Sequence, residues 1–105
     1  MSDPSQNLGP LTGIRVIDLT INVLGPVATQ ILGDMGAEVI KVETPSGDTM
    51  RQNGVSNTGT LGPFFQTTNR NKKSIILNLK KPGCKRALLE LSKTADVFVH
   101  NMREA

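Results

Sequence analysis

The sequence has neither Trp nor Tyr, and its only large aromatic residues are three Phe. Nucleic-acid-binding proteins commonly combine aromatic side chains for base stacking with clustered basic residues. Here the net charge of +3 is mild, and the basic residues form no long run. We therefore predict no nucleic-acid partner, while the mild positive charge suits a small acidic ligand.

Cys and His occur only once each, as Cys84 and His100. A single Cys excludes an internal disulfide and indicates a reducing compartment. One Cys and one distant His cannot form a metal site, so we predict no metal. We interpret Cys84 as a small core residue, and His100 as a strand-end residue with an ordinary hydrogen bond.

The chain also lacks an apolar run of membrane-spanning length, which predicts no membrane association. Its first ten residues, MSDPSQNLGP, are polar and contain proline, unlike a secretory signal. The cytoplasm is the default location, with an organelle such as the mitochondrion or peroxisome as the alternative. We expect residues 1–12 to be a flexible leader and residues 13–105 to belong to one domain.

Residues 25–43 contain a helix and the strand that follows it. Gly25 suits a sharp turn and Pro26 suits the first helical position, so a helix should begin there. Gly36 predicts its end, and residues 37–43 are rich in strand-forming residues. The predicted apolar face of this helix consists of Ala28, Ile31, Leu32 and Met35, with Gln30 and Asp34 towards solvent.

The rest of the chain repeats this layout without repeating its sequence. Residues 14–19, 74–79 and 96–100 are predicted strands, and a second helix begins at Pro82. Alternating strands and helices predict an α/β fold with a parallel sheet. Its ligand should then lie at the carboxyl ends of the strands, near residues 20–25 and 43–51. Residues 44–62 are predicted to form a long loop.

Two nucleotide-binding motifs are incomplete or missing. The turn after the first strand has one glycine where a dinucleotide fingerprint needs three, although Glu43 lies where a ribose-binding acid would lie. No phosphate-binding loop ends in Gly-Lys-Ser or Gly-Lys-Thr. Asp18 and Asp48 lie nearest the expected ligand edge, but either could instead accept hydrogen bonds from backbone amides.

The order of several short motifs is distinctive. They are Gly25-Pro26, Leu32 to Glu43 (LGDMGAEVIKVE), Gly47-Asp48 with Arg51, Asn69 to Ile75 (NRNKKSI), Leu77 to Lys80 (LNLK), Ala95-Asp96-Val97 and Asn101. In this order they resemble the amino-terminal part of the family III CoA-transferases, the carnitine/bile-acid-inducible type. That family includes formyl-CoA transferase and α-methylacyl-CoA racemase.

The resemblance implies a Rossmann-like parallel sheet flanked by helices, here the incomplete amino-terminal part of a larger two-domain subunit. It implies an interlocked homodimer that acts on an acyl-CoA and a carboxylic acid, with CoA as substrate and no permanently bound cofactor. In the transferases, an aspartate attacks the thioester to form a mixed anhydride. That aspartate lies beyond Ala105, so no catalytic residue is expected in this chain, which alone should be inactive.

The resemblance also assigns a CoA site. The CoA-binding positions are Asn22, Val23, Leu77, Lys80, Asn101 and Met102. Arg51, Arg70 and Lys72 are further candidates for phosphate or CoA contacts, because their cations suit phosphate. Val23 replaces a glutamine of the formyl-CoA branch, which argues against formyl transfer or an identical gating role. Thr44 replaces an arginine that approaches the nucleotide end of CoA in that branch, so the cation of that contact is missing here.

Two other functions stay open at this point. The racemase branch exchanges the proton next to the thioester carbonyl through an acid/base pair. A short chain could instead be a non-catalytic binding or interaction module, with exposed apolar surfaces.

Overall fold

The computed structural model describes residues 9–48 and 69–102. These residues form β1 (Arg15–Leu19), α1 (Leu24–Asp34), β2 (Glu38–Glu43), β3 (Lys72–Ile76), α2 (Pro82–Ser92) and β4 (Val97–His100). Most of the predicted leader and most of the predicted long loop, including Arg51, lie outside the described residues.

The four strands form one sheet in the order β3-β2-β1-β4, and all three neighbouring pairs are parallel. This arrangement confirms the predicted α/β fold. The chain passes from β1 through β2 to β3 in one direction, and β4 then returns to the other side of β1. Such a change of direction opens a crevice at the carboxyl ends of the strands, where α/β proteins bind ligands. We call this side of the sheet the carboxyl edge.

Each helix covers one face of the sheet. On one face, the strand residues Ile17, Leu19, Ile40 and Val42 form a core on which Leu88 and Leu91 of α2 pack. On the other face, Val16 and Val39 pack with Leu32 of α1. Burying one such aliphatic side chain contributes about 1.5–3 kcal/mol. The two central strands are therefore buried from both sides, as expected for a parallel sheet.

The predicted bounds of the third strand were wrong. It was predicted at residues 74–79, but β3 is Lys72–Ile76. Lys72 and Lys73 pair with Val39 and Ile40 of β2, so two charged residues belong to the strand. After Ile76 the chain turns, and Lys81 N donates to the Asn78 carbonyl oxygen at 2.9 Å.

The predicted inner face of α1 was only partly right, because Leu32 packs on the core as predicted but Ala28 is exposed. The helix buries Pro26, Thr29, Gln30 and Gly33, whereas Ile31 is 51% exposed and Met35 is 40% exposed. The reason is the surface beneath the helix, which carries charged side chains as well as aliphatic ones. Thr29 Oγ1 donates a hydrogen bond to Asp18 Oδ2 at 2.7 Å. Gly33 lets the helix approach β3 closely, since a Cβ there would lie 3.2 Å from the Asn71 carbonyl oxygen.

The turn into α1 is made by Asn22 rather than by Gly25. Asn22 has φ +73°, in the left-handed region, and the helix begins at Leu24. Gly25 is required for space, because a Cβ there would lie 2.6 Å from Thr20 Cβ and 3.3 Å from Asn101 Nδ2. The predicted end of the helix is confirmed. Gly36 has φ +104°, which closes the last turn.

Candidate functional site

A cavity of about 300 Å³ opens at the carboxyl edge. Its floor is aliphatic and continues the core under α2, with Leu19, Val42, Leu77 and Leu79. Its walls come from the carboxyl ends of β1, β2 and β4 and the residues that follow them. They consist of Ile21, Glu43, Thr44, Ser46, Gly47, Asp48, Asn101 and Met102, most of which are polar. An apolar floor with a few polar groups at the rim is typical of a small-molecule site.

Asn101 joins the ends of β1 and β4 at this cavity. Its Oδ1 accepts from Ile21 N at 3.1 Å, and its Nδ2 donates to the Ile21 carbonyl oxygen at 2.9 Å. The side chain therefore pairs with the backbone of Ile21 as a neighbouring strand would. This contact closes the cavity where the sheet order changes direction.

A buried polar cluster lies on the α1 face, beside the cavity. It consists of Asp18, Lys41, Glu43, Asp48, Asn69 and Lys72. Lys41 Nζ lies 2.8 Å from Asp48 Oδ2, and both side chains are almost fully buried. Lys41 Nζ also donates to Asn69 Oδ1 at 2.9 Å and to the Thr20 carbonyl oxygen at 3.0 Å. This ammonium thus links strand ends that are far apart in sequence.

A second buried ion pair lies beneath α1. Lys72 Nζ is 2.9 Å from Asp18 Oδ2 and donates to the Pro26 carbonyl oxygen at 3.0 Å. Burial lowers the pKa of Lys72 more than the Asp18 carboxylate raises it. Burial alone would raise the pKa of Asp18, but hydrogen bonds from Thr20 and Lys72, together with the Lys72 charge, lower it below its ordinary value. Asp18 is therefore an anion at neutral pH.

Glu43 also takes part in this cluster. Its Oε1 accepts from Asp48 N at 2.9 Å, and its Oε2 accepts from Ser74 Oγ at 2.6 Å. The residue is only 4% exposed. A ribose hydroxyl could not reach this buried carboxylate without rearrangement of the side chains around it, which argues further against the dinucleotide interpretation.

A sequence model of CoA-transferase family III matches residues 11–105. This chain belongs to that family. The match covers nearly the whole chain and confirms the resemblance seen in the order of the motifs.

Named relatives are CoA-transferases. The chain is 48% identical to human succinyl-CoA:glutarate CoA-transferase, with 90% of this chain and 22% of the relative covered. It is 45% identical to a probable fatty acyl-CoA transferase of Mycobacterium tuberculosis, with coverage of 90% and 24%. The chain thus spans about a quarter of the length of these relatives.

Solved structures agree with the fold. A CaiB/BaiF family protein from Brucella suis superposes with a TM-score of 0.84 at 36% identity, over 92% of this chain and 26% of that one. The four-stranded α/β sheet is therefore the family fold in this part of the chain.

Several predicted site residues of this family III chain come together at the carboxyl edge. Leu77, Asn101 and Met102 line the cavity. Lys80 lines an adjoining open pocket with Thr44 and Ser46, which also border the cavity. Its ammonium has no partner among residues 9–48 and 69–102, so it is available to an anion. Asn22 and Val23 lie between β1 and α1, and both are exposed.

Two of the cationic residues that were predicted to contact phosphate or CoA lie away from the cavity. Arg70 lies at the opposite edge of the sheet, where it pairs with Asp34 at 2.9 Å. The Arg70 hydrogen bond lowers the pKa of Asp34. Lys72 lies beneath α1 with a side chain only 2% exposed. The structure therefore does not group either residue with the cavity, since both are committed to carboxylates of the fold. Arg51 lies outside the described residues.

The buried polar cluster was largely missed at the sequence level. No role was predicted for Lys41, and two roles each were offered for Asp18 and Asp48. The structure shows the backbone-capping role for both acids: Asp18 Oδ1 accepts from Thr20 N at 2.8 Å, and Asp48 Oδ1 accepts from Asn22 N at 3.2 Å. A charged residue inside a central parallel strand was the available signal, because such strands are buried on both faces.

Three further findings concern metal ligands, membrane-spanning helices and His100. Within residues 9–48 and 69–102, no group of three His, Cys, Asp or Glu side chains could hold a metal ion. In the same part of the chain, no helix is long and apolar enough to cross a membrane. His100 makes the ordinary contact that was predicted, as its Nδ1 accepts from Met102 N at 3.2 Å.

Proposed function

We propose that this chain forms part of the CoA site of an acyl-CoA:carboxylate CoA-transferase. The enzyme moves CoA between an acyl-CoA and a free carboxylic acid. Its aspartate nucleophile displaces CoA thiolate and forms a mixed anhydride with the donor acyl group. The thiolate then attacks the aspartyl carbonyl, which releases the donor acid and leaves an aspartyl-CoA thioester. The acceptor carboxylate displaces the thiolate from that thioester to form a second mixed anhydride, and the thiolate attacks its acceptor carbonyl, which gives the new acyl-CoA and regenerates the aspartate. By the resemblance, the nucleophile lies outside the described residues; Asp18 and Asp48, the two acids nearest the expected ligand edge, are held in buried ion pairs.

The observation that carries this proposal is the apolar cavity at the carboxyl edge of a family III sheet. Three residues that the resemblance assigns to CoA line it, namely Leu77, Asn101 and Met102. Names of relatives also support it, since human and bacterial members transfer CoA between small acids.

The family resemblance implies an orientation for CoA. The adenine would lie against Leu77 with the phosphates towards Lys80, whose cation suits them as a point charge. The thioester would then lie near Asn22 and Val23. By the same resemblance, the functional unit is an interlocked homodimer, and its compartment is the cytoplasm, with an organelle as the alternative.

CoA binding by Lys80→Ala tests this proposal, with Lys73→Ala as a matched control. Lys73 is equally cationic and is exposed, but it lies at the opposite edge of the sheet near Glu38. We expect Lys80→Ala to weaken CoA binding about tenfold, because one charge-assisted contact is lost. Lys73→Ala should leave the affinity unchanged. Isothermal titration calorimetry measures both.

Equal losses in the two variants would show that CoA responds only to net charge and would contradict the proposed site. A wild-type chain that is folded by circular dichroism but does not bind CoA would contradict it as well. We also expect no exchange of label between acyl-CoA and free acid by this chain alone.

A further inference from the structure

The backbone turn after β1 is held by a side chain from the loop after β2. Asn22 has φ +73°, a conformation that carries a steric penalty for residues other than glycine, although Asn tolerates it best. Its N–H donates to Asp48 Oδ1 at 3.2 Å. Asp48 lines the cavity, and Asn22 directly follows Ile21, which also lines it.

Two further contacts, besides the one with Asn22 N–H, hold Asp48 in place. Its Oδ2 accepts from Lys41 Nζ at 2.8 Å, and its N–H donates to Glu43 Oε1 at 2.9 Å. Its side chain is fully buried. Lys41 Nζ in turn donates to the Thr20 carbonyl oxygen, at the end of β1. One ion pair thus holds both the end of β1 and the turn that follows it.

We propose that Asp48 is a positioning residue for the CoA site. Its carboxylate holds the left-handed turn at Asn22 and thereby sets the distance between the loops that follow β1 and β2. This inference rests on the proposed function, because it assigns Asp48 a role in binding CoA without contact to the reacting atoms. The competing explanation is a purely structural one, in which Asp48 only neutralises the buried Lys41.

A matched pair of double variants separates the two roles. Lys41→Met/Asp48→Asn and Lys41→Met/Asp48→Leu both remove the two buried charges, which often leaves stability nearly unchanged. The side chains of Asn and Leu have similar size. Only the variant with Asn at position 48 keeps a side-chain oxygen that can accept a hydrogen bond from the Asn22 N–H. Because Lys41 is replaced by Met, no ammonium group competes for that oxygen.

The first measurement needs no ligand. We expect the Asn22 amide to exchange with solvent about tenfold faster in the Leu variant than in the Asn variant, because one backbone hydrogen bond is lost. The Val39 amide, within the sheet, should exchange equally in both variants. Equal exchange at Asn22 would overturn the proposal, since a role in charge balance alone predicts no difference.

The second measurement is CoA affinity by calorimetry. We expect about tenfold weaker binding by the Leu variant than by the Asn variant. If the Asn22 amide exchanges at different rates in the two double variants but both bind CoA with equal affinity, the positioning role is overturned and the proposed CoA site is not. Absence of CoA binding by the folded wild-type chain would instead overturn the proposed function, and the Asn22 exchange rates would still decide whether Asp48 holds the turn.

Discussion

Lys72 and Lys73 are neighbours in sequence with opposite surroundings. The Lys72 side chain is 2% exposed and pairs with Asp18, whereas the Lys73 side chain is 72% exposed and lies 3.6 Å from Glu38. Successive residues of a strand point to opposite faces, so only one of the two could lie beneath α1. The sequence predicted that both lysines precede the third strand, because two adjacent lysines carry no sign of which one is buried.

The Asp18–Lys72 pair predicts a specific dependence of stability on pH. The folded-state pKa of Asp18 lies below its ordinary value of 3.8, so its stabilising contribution is complete above that value. The contribution is lost as the pH falls through the folded-state pKa. We expect Asp18→Asn to be less stable than wild type at neutral pH, and to lose less of its remaining stability between about pH 5 and pH 2. Urea unfolding at several pH values measures this.

Glu90→Gln serves as the control for that experiment. Glu90 pairs with Lys93 on the solvent side of α2, and both side chains are well exposed. Exposed pairs of this kind contribute little, so this variant should follow the wild-type curve. If the free energy of unfolding of wild type and of Asp18→Asn fell equally between about pH 5 and pH 2, the role assigned to the buried pair would be contradicted.

At the scale of single elements, the sequence predicted which helices and strands exist, and in what order, better than it predicted which face of a helix is buried. Gly36 and Pro82 correctly marked the end of α1 and the beginning of α2, because the backbone preferences of glycine and proline are local. The orientation of α1 depends on the sheet beneath it. Its buried Thr29 and Gln30 contact a surface that hydrophobic periodicity does not describe.

Two glycine substitutions test the local part of this account. Gly36 has φ +104°, and a Cβ there would lie 2.9 Å from Thr12 Oγ1. We expect Gly36→Ala to destabilise the protein by about 1–2 kcal/mol or more. Gly83 lies in the first turn of α2 with open space around its Cα, so Gly83→Ala should stabilise by about 0.4–1 kcal/mol. Chemical denaturation measures the free energy of unfolding of both variants. A change in the same direction for both variants would contradict this prediction.

At the scale of the whole molecule, the parallel sheet and its carboxyl-edge site followed from the sequence pattern. The strand order required the structure, because the connection from β3 to β4 places them on opposite sides of the sheet. The order in turn explains why residues 21 and 101 meet. Leu77, Asn101 and Met102, which the family resemblance assigns to CoA, line one cavity, whereas Arg70, which was put forward from its charge and position in the motifs, lies at the other edge.

This grouping predicts that CoA stabilises the entire sheet. A ligand at 100 times its dissociation constant raises the free energy of unfolding by about 2.7 kcal/mol. Asn101→Leu removes both hydrogen bonds to Ile21 and should reduce this increase. Thr94→Val removes a side-chain hydrogen bond with Arg15 at the opposite edge and should retain the increase. Thermal unfolding with and without CoA measures both, and a full CoA-induced increase in Asn101→Leu would contradict the prediction.

The contact between Ile21 and Asn101 also has a consequence during synthesis of the protein. The two residues are 80 positions apart. At about 5–20 residues per second, a ribosome needs about 4–16 s to add the residues between them. During that interval β1 can pair with β2, but its other edge has no strand beside it. An unpaired apolar strand invites association with other chains. We therefore expect the nascent chain to be most prone to association with other chains in the seconds before β4 is made.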